Sequence, residues 1–372
     1  MKGFSYFIVL ILAATTSLTG CNDEDSTFGK GLPRELKLNT ISYMEEVGNS
    51  LVVAGNQDFG GLTIYKLNKN FGTAWVKSNF SRGSGNLIKA CYDQHGNMIL
   101  FISVWHEGTS LRSSSVLSVY STTVLIITLN PFGDEINRVQ INAFSLNSVA
   151  QTNDHGFLLF GSKIVRLRAD LTTVWEHTDQ EDSSVSSYIA GTNDKGFVVT
   201  GAGSDYQAFL RKYDRNGVVQ WTKNNFNPVP LSDVGYDVRS CGTGGFLIAG
   251  RTCEVNQSFN TNCFMIRTNS DGDTLWTKKF GTPANEYLNQ ILYVSDDEVI
   301  VQEQLGYPND PVRKTFLVKL TQDGQLVSTT ETDFDKLIFT RSGYFIKAKK
   351  IGDKRMLLTR LELDDLFSEQ PE

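Results

Sequence analysis

Apolar residues in this chain come in short runs of strand length, each opened by a turn that carries glycine and often closed by a second glycine. The phrase is plain in Gly48-Asn-Ser-Leu-Val-Val-Ala-Gly55, His95-Gly-Asn-Met-Ile-Leu-Phe101, Asp154-His-Gly-Phe-Leu-Leu-Phe-Gly161, Asp194-Lys-Gly-Phe-Val-Val-Thr-Gly201 and Thr243-Gly-Gly-Phe-Leu-Ile-Ala-Gly250. Weaker copies are Asp297-Glu-Val-Ile-Val301 and Ser342-Gly-Tyr-Phe-Ile346. Runs this short, bounded by turn residues and without a sustained 3.6-residue period, predict strands and no long helix.

A second phrase follows each copy: an alternating strand, a turn and usually a tryptophan. It reads Ile64 to Trp75, Ile164 to Trp175, Phe209 to Trp221 and Phe264 to Trp276, and it recurs without tryptophan at Ile126 to Gly133 and Phe316 to Gly324. Four of the five tryptophans therefore hold one slot of a repeat. Asn216-Gly217, Asp271-Gly272 and Asp323-Gly324 supply residues that tolerate positive φ in tight hairpins. An alternating stretch before the first turn, such as Ser148 to Thr152 or Tyr236 to Ser240, completes a unit of four strands. A lone four-stranded sheet cannot bury both faces, so such units stack around an axis, and a period of about 40 to 60 residues suits propeller blades.

The expected fold is therefore all-β, a β-propeller of four-stranded blades, most simply seven, with six or eight as alternatives. The last unit, near Leu337–Arg341, Tyr344–Ala348 and Met356–Leu363, has no fourth strand of its own. Arg34 to Ile41 is an extra strand-like segment ahead of the first unit and is expected to supply it. The paired phrases resemble the propeller-type repeat of secreted and lipid-anchored Bacteroidota proteins. The turn-to-tryptophan phrase is also similar to the repeat of quinoprotein and outer-membrane assembly propellers. Quinoprotein dehydrogenases carry adjacent cysteines beside their quinone, and this chain has no Cys-Cys pair, so no cofactor is expected.

The N-terminus adds an address. One lysine, the apolar run Phe7 to Ala14 and small residues before Cys21 make a secretory signal over residues 1–20, too short to span a bilayer. Leu18-Thr19-Gly20-Cys21 resembles the bacterial lipobox, which implies lipidation of Cys21 and a membrane as partner. Asn22-Asp23-Glu24-Asp25 opens an acidic tether over 21–32 and resembles the surface-export signal of Bacteroidota lipoproteins; a plain flexible tether is the alternative. Residues 33–372 form a single propeller domain. The expected location is the outer membrane, surface-exposed or facing the periplasm.

Composition narrows the function. Lys+Arg 35 against Asp+Glu 41 gives a net charge of −6, which argues against nucleic acid. Cys253 and Cys263 flank one loop and could form a disulfide, while Cys91 and Cys241 read as small buried hydrophobes. No Cys or His stands at the short spacing of a zinc site, so no metal is expected. His95 and His155 fall in turn slots and His177 on an outer strand; only His106, in Trp105-His106-Glu107, stands outside the repeat. The acidic runs at 179–182, 296–298 and 364–365 read as solvated turns.

Loop length is the remaining signal. Long segments between second and third strands at 103–121, 251–262 and 303–314 share one face, and insertions on one face of a repeat protein commonly bind. Trp105, His106, Tyr120, Phe259, Tyr307 and Arg313 are the candidate ligand-binding residues there, and the aromatic and arginine side chains among them are the types that dominate recognition. With no catalytic constellation in the sequence, the leading expectation is a non-enzymatic binding or scaffold module for a protein or glycan. A polysaccharide hydrolase or lyase with its site at the central channel, or an outer-membrane assembly factor, are the alternatives.

Overall fold

The computed structural model describes residues 33–368 apart from 58–60, 79, 81–83, 113–114, 143, 153, 178–187, 204–206, 225, 227–230, 243, 255–260, 282–284 and 307–313. The side chains of 84, 107–112, 115–121, 231 and 254 are likewise outside the description. The signal segment, Cys21 and the tether over 21–32 lie outside the described residues.

Seven four-stranded antiparallel sheets form a seven-bladed propeller. In blades 1 to 6 the strands follow in chain order, from the innermost strand on the axis to the outermost on the rim. The innermost strands are Thr40–Val47, Ser84–Tyr92, Leu146–Gln151, Tyr188–Gly191, Leu231–Ser240, Glu286–Val294 and Lys336–Phe339. The only helix among the described residues is the single turn Asp365–Ser368.

Blade 7 is composite. Its outer strand is Arg34–Leu36, antiparallel to Arg355–Leu361 with Arg34 opposite Leu358 and Leu36 opposite Met356. Leu36 and Leu38 are buried in the cluster that joins blades 7 and 1, and Arg34 Nη2 donates to Thr73 Oγ1 of blade 1 at 3.0 Å. The segment thus closes the ring twice, by main-chain pairing to blade 7 and by side chains to blade 1.

The core is divided among the interfaces. Seven clusters of buried apolar residues each lie between two neighbouring blades. This follows from the period-2 pattern, because both faces of every blade's middle strands must meet a neighbour; Phe197–Ala202 and Ala208–Tyr213, for example, are buried throughout.

The tryptophan slot works across these interfaces. Each outer-strand tryptophan lies against the outer-turn glycine of the following blade: Trp75 on Gly133, Trp175 on Gly217, Trp221 on Gly272 and Trp276 on Gly324. All four glycines have positive φ, between 78° and 86°. A Cβ on Gly217 would stand 2.3 Å from Trp175 Cζ2, so no side chain fits beneath the ring. Where the preceding blade lacks the tryptophan, glycine is absent too. Blade 2 has Asn137 in the slot, and the matching turn of blade 3 carries Leu171 at φ 67°, buried in the interface. Blade 1 follows the composite blade 7 and carries Phe71 at φ 58°, also buried. At these six interfaces either the tryptophan or the turn residue fills the hole.

Two outcomes test this architecture. Deleting residues 33–40 removes the two buried leucines, each contributing about 2–5 kcal/mol, and is expected to lower the melting temperature by roughly 10 °C or more; an unchanged melt contradicts the closure. Gly217→Ala is expected to cost about 3 kcal/mol in the wild-type chain and about 1 kcal/mol in a Trp175→Ala background, where only the positive-φ strain remains. Additive effects in that double-mutant cycle, measured by denaturant unfolding, would refute the cross-blade pairing.

Candidate functional site

The innermost strands leave one edge unpaired, and their free edges surround a central channel of about 520 Å³. Free edges need management. Five of these strands carry a register bulge at a matching place, between Ile41/Tyr43, Leu87/Lys89, Leu146/Ser148, Gly235/Asp237 and Leu288/Gln290. A bulge re-aims the residues beside it, and the channel wall holds Tyr43, Glu45, Lys89, Ser148, Asp237 and Gln290 immediately after these shifts.

Several of these side chains lace the blades together. Tyr43 Oη accepts from the backbone N–H of Ala90 on blade 2 at 3.0 Å, and donates to Glu45, which also receives Lys89 Nζ. Asp237 of blade 5 accepts from the N–H of Ile291 on blade 6 at 2.9 Å and from that of Val238 at 2.9 Å, with Arg239 Nη2 at 3.3 Å. Glu46 accepts from the N–H of Arg341 on blade 7. The carboxylates of the channel therefore satisfy backbone amides and neighbouring cations.

The electrostatics follow from burial. Desolvation raises the Asp237 carboxyl pKa, against the pull of Arg239 and the two amides. It lowers that of Lys336, which Asp237 partly offsets, and pushes the Tyr188 phenol up to about 12 with Asp237 adding to the effect. Lys336 and Arg341 line the channel and make no side-chain ion pair with the described residues. At the end where first and second strands turn, the channel opens into a mouth of about 450 Å³ bordered by Glu46, Gly48, Tyr92, Gln151, Gly191 and Arg341.

The residues expected from the sequence lie elsewhere. Trp105 and His106 are half-buried where blade 2 narrows from four strands to two: Trp105 pairs with Ser84 and Thr122, and His106 with Ser121. The stretch expected as a loop at 103–121 is a continuous ribbon, Met98–Arg112 paired to Ser115–Leu129, because its alternating Ser, Val, Leu and Thr residues extend the hairpin. Neither residue lines the channel. The Tyr120 backbone lies in the ribbon opposite Glu107; its side chain, Phe259, Tyr307 and Arg313 are outside the described residues. His155 has φ 61°, as its turn slot requires.

Cys253 and Cys263 are not joined to each other. The ladder sets Cys253 opposite Thr261 and Cys263 opposite Arg251, so the two cysteines stand diagonally instead of facing. Cys263 instead donates to Glu303 Oε1 of blade 6 at 3.5 Å, and Glu286 completes a buried group whose donor atoms all lie within 4.8 Å of one another. One sulphur and two carboxylate oxygens are donors that a divalent ion such as zinc accepts. Sequence spacing could not reveal this group, since its members come from three strands of two blades. Burial, with the Glu286 charge adding, raises Glu303 to about 7, and burial also raises Cys263.

Folded Glu303 holds its proton more tightly than the unfolded chain does, so between pH about 4.5 and 7 the folded state binds more protons. This stabilisation is complete below that window and is lost as pH rises through about 7, a difference of about 3 kcal/mol. Unfolding free energies across pH 4.5–8 should fall with pH in the wild type and flatten in Glu303→Gln; equal slopes would rule the linkage out.

No protein-family model and no curated protein matches the chain. Solved structures match its fold across nearly its whole length. Hydrazine synthase of Kuenenia stuttgartiensis is 11% identical with TM-score 0.55, covering 89% of this chain and 97% of that one. BBS1N in complex with ARL6DN is 10% identical with TM-score 0.52, covering 90% and 94%. A PL25 ulvan lyase, a polysaccharide lyase bound to -[GlcA(1-4)Rha3S]-, is 11% identical with TM-score 0.52, covering 93% and 98%. At such identity the likeness establishes a shared propeller fold, used among these neighbours for both protein binding and polysaccharide chemistry.

Proposed function

We propose that this protein is a membrane-anchored, non-enzymatic binding module that holds an anionic group of its ligand in the central channel. The observation that carries the reading is an imbalance within one cavity. Glu45, Glu46 and Asp237 are all engaged with backbone amides or cations, while Lys336 and Arg341 line the same wall with no ion pair among the described residues. Cations left over in a walled channel attract an oxyanion, and low-dielectric walls strengthen the attraction. A glycoside hydrolase would need a pair of available carboxyl groups there, whereas Glu45, Glu46 and Asp237 are each bonded to a cation or a backbone amide. Tyr188, Tyr293 and Phe339 add ring surface beside the charges, a mixture suited to a sugar or a peptide.

The anchor rests on the sequence: a signal segment over 1–20, then Cys21 in a lipobox-like setting, on the outer membrane with its surface side as the reading. A tether over 21–32 spans at most about 40 Å, which keeps blade 7, closed by Arg34–Leu36, within that distance of the bilayer. Two acyl chains would make the attachment lasting.

The projecting ribbon of blade 2 favours a second reading, a protein partner on the opposite face. Beyond Trp105 and Thr123 it runs for seven further paired rungs with no third strand beside it, about 24 Å of two-stranded hairpin.

Both readings meet in one experiment, a glycan array and a membrane pull-down run with the full lipidated chain and with Lys336→Gln/Arg341→Gln. The channel reading expects uronate- or sulfate-bearing glycans to be retained by the wild type and bound about tenfold more weakly by the double variant, at unchanged melting temperature. Equal binding by the variant refutes it. A protein partner kept by this variant but lost when residues 107–120 are shortened would move the function to the ribbon.

A further inference from the structure

On the same face as the channel mouth, a cleft of about 410 Å³ opens between blades 3 and 4. Its charged wall consists of Arg166, Arg168, Lys195 and Arg215 against one carboxylate, Asp154, and Trp175 lies between them. Four cations around a single carboxylate is an unusual local balance in a chain of net charge −6.

The carboxylate is already used. Both oxygens of Asp154 accept from Arg166 Nη2 at 2.7 Å, and Thr152 Oγ1 donates to it at 2.6 Å. The Thr152 hydroxyl and the Arg166 guanidinium hold its pKa below the ordinary value. Arg166 is buried and also donates to the carbonyl of Phe157 at 3.3 Å and to that of Leu167. This pair is a fixed, neutral wall.

Arg168, Lys195 and Arg215 remain, all exposed and without an ion pair among the described residues. The acids nearest in sequence are occupied as well. Asp170 takes the hydroxyl of Thr172 at 2.6 Å and its N–H at 3.0 Å; Arg168 lowers its pKa further and donates to the Thr172 hydroxyl at 3.5 Å. Asp194 takes Lys212 and Thr192, and Asp214 caps its own turn through the N–H groups of Asn216 at 2.7 Å and Val218 at 2.9 Å. Three cations facing one cavity repel one another unless an anion joins them, and arginine forks match the paired oxygens of sulfate and carboxylate.

Trp175 gives the cleft a floor. Its indole lies on Gly217 and is only half-buried, which leaves ring surface toward the cleft beside the cations. A flat apolar surface edged by guanidinium groups fits a sugar ring carrying an acidic substituent. The cleft and the mouth open on the same face of blade 3, where Gln151 borders the mouth and Thr152, the next residue, borders the cleft.

We propose that this cleft is an anion-binding subsite for an acidic polysaccharide, with a sulfate or carboxylate substituent held by Arg168, Lys195 and Arg215, a sugar ring over Trp175, and the chain continuing into the channel mouth. The proposal rests on the channel reading for the continuation alone, and separate variants distinguish the two. The full lipidated chain in detergent is titrated with dextran sulfate oligosaccharides, polygalacturonate oligosaccharides, neutral dextran and inorganic sulfate.

The wild type should bind at least one of the two polyanions, ignore neutral dextran, and weaken with added salt. Arg168→Gln/Arg215→Gln should reduce polyanion affinity about tenfold or more with the melting temperature unchanged, and Trp175→Leu should weaken the oligosaccharide but leave inorganic sulfate unaffected. Wild-type affinity in the arginine double variant, or no polyanion binding by the wild type, overturns the cleft. Inorganic sulfate bound as tightly as the oligosaccharides overturns the polysaccharide assignment. If Lys336→Gln/Arg341→Gln retains full affinity while the cleft variant loses it, the channel reading fails and the cleft stands.

Discussion

Each outer-strand tryptophan rests on a glycine that belongs to the next blade, and the ring is assembled around that contact. The glycine must turn with positive φ, and it must carry no side chain because the indole occupies the place of one. One repeat therefore supplies a tryptophan to its successor and a glycine to its predecessor. The exceptions obey the same constraint: Leu171 and Phe71 stand in the turn where no tryptophan arrives, and their own side chains fill the interface. A non-glycine residue at positive φ is strained, and here burial of a large apolar side chain offsets the strain. Because every cluster of the core belongs to two blades, no blade is complete without both neighbours, and the pairing of Arg34–Leu36 to blade 7 turns an open row of repeats into a closed ring.

The repeat was readable because turn glycines, apolar runs and the tryptophan slot are local in sequence. Blade number and the closing strand followed from counting those phrases. What the tryptophan touches was not readable, since Trp175 and Gly217 stand in different repeats. The Cys253–Cys263 expectation failed for a related reason: flanking one loop brings two residues near each other, but only the ladder register decides whether they face, and the register sets them on a diagonal. The ribbon of blade 2 was hidden by its serines and threonines, which read as loop in composition yet alternate as a strand does.

The channel was the least legible part. It draws one or two residues from each of several innermost strands, so no stretch of sequence carries its chemistry as a motif. A usable signal did exist in the charged residues set inside otherwise apolar first strands, such as Glu45 and Glu46, Lys89, and Asp237 with Arg239. Those charges serve two purposes. The carboxylates satisfy amides on the open edges of the innermost strands, which would otherwise be costly to bury. The cations at Lys336 and Arg341 are left over, and Arg168, Lys195 and Arg215 repeat that surplus in the cleft nearby. Arg341, Arg168, Lys195 and Arg215 thus gather positive charge without an ion pair among the described residues at the end where first and second strands turn, with Lys336 further along the channel.

The central claim is that ligand meets this face and not the face from which the blade 2 ribbon projects. Amide hydrogen exchange of the full lipidated chain, with and without a bound acidic oligosaccharide, reads both faces at once. The claim predicts slowed exchange over residues 45–48, 151–154, 192–196 and 336–341. Slowing confined to the ribbon of blade 2, over residues 103–112 and 115–121, would contradict it and place recognition on the opposite side of the propeller.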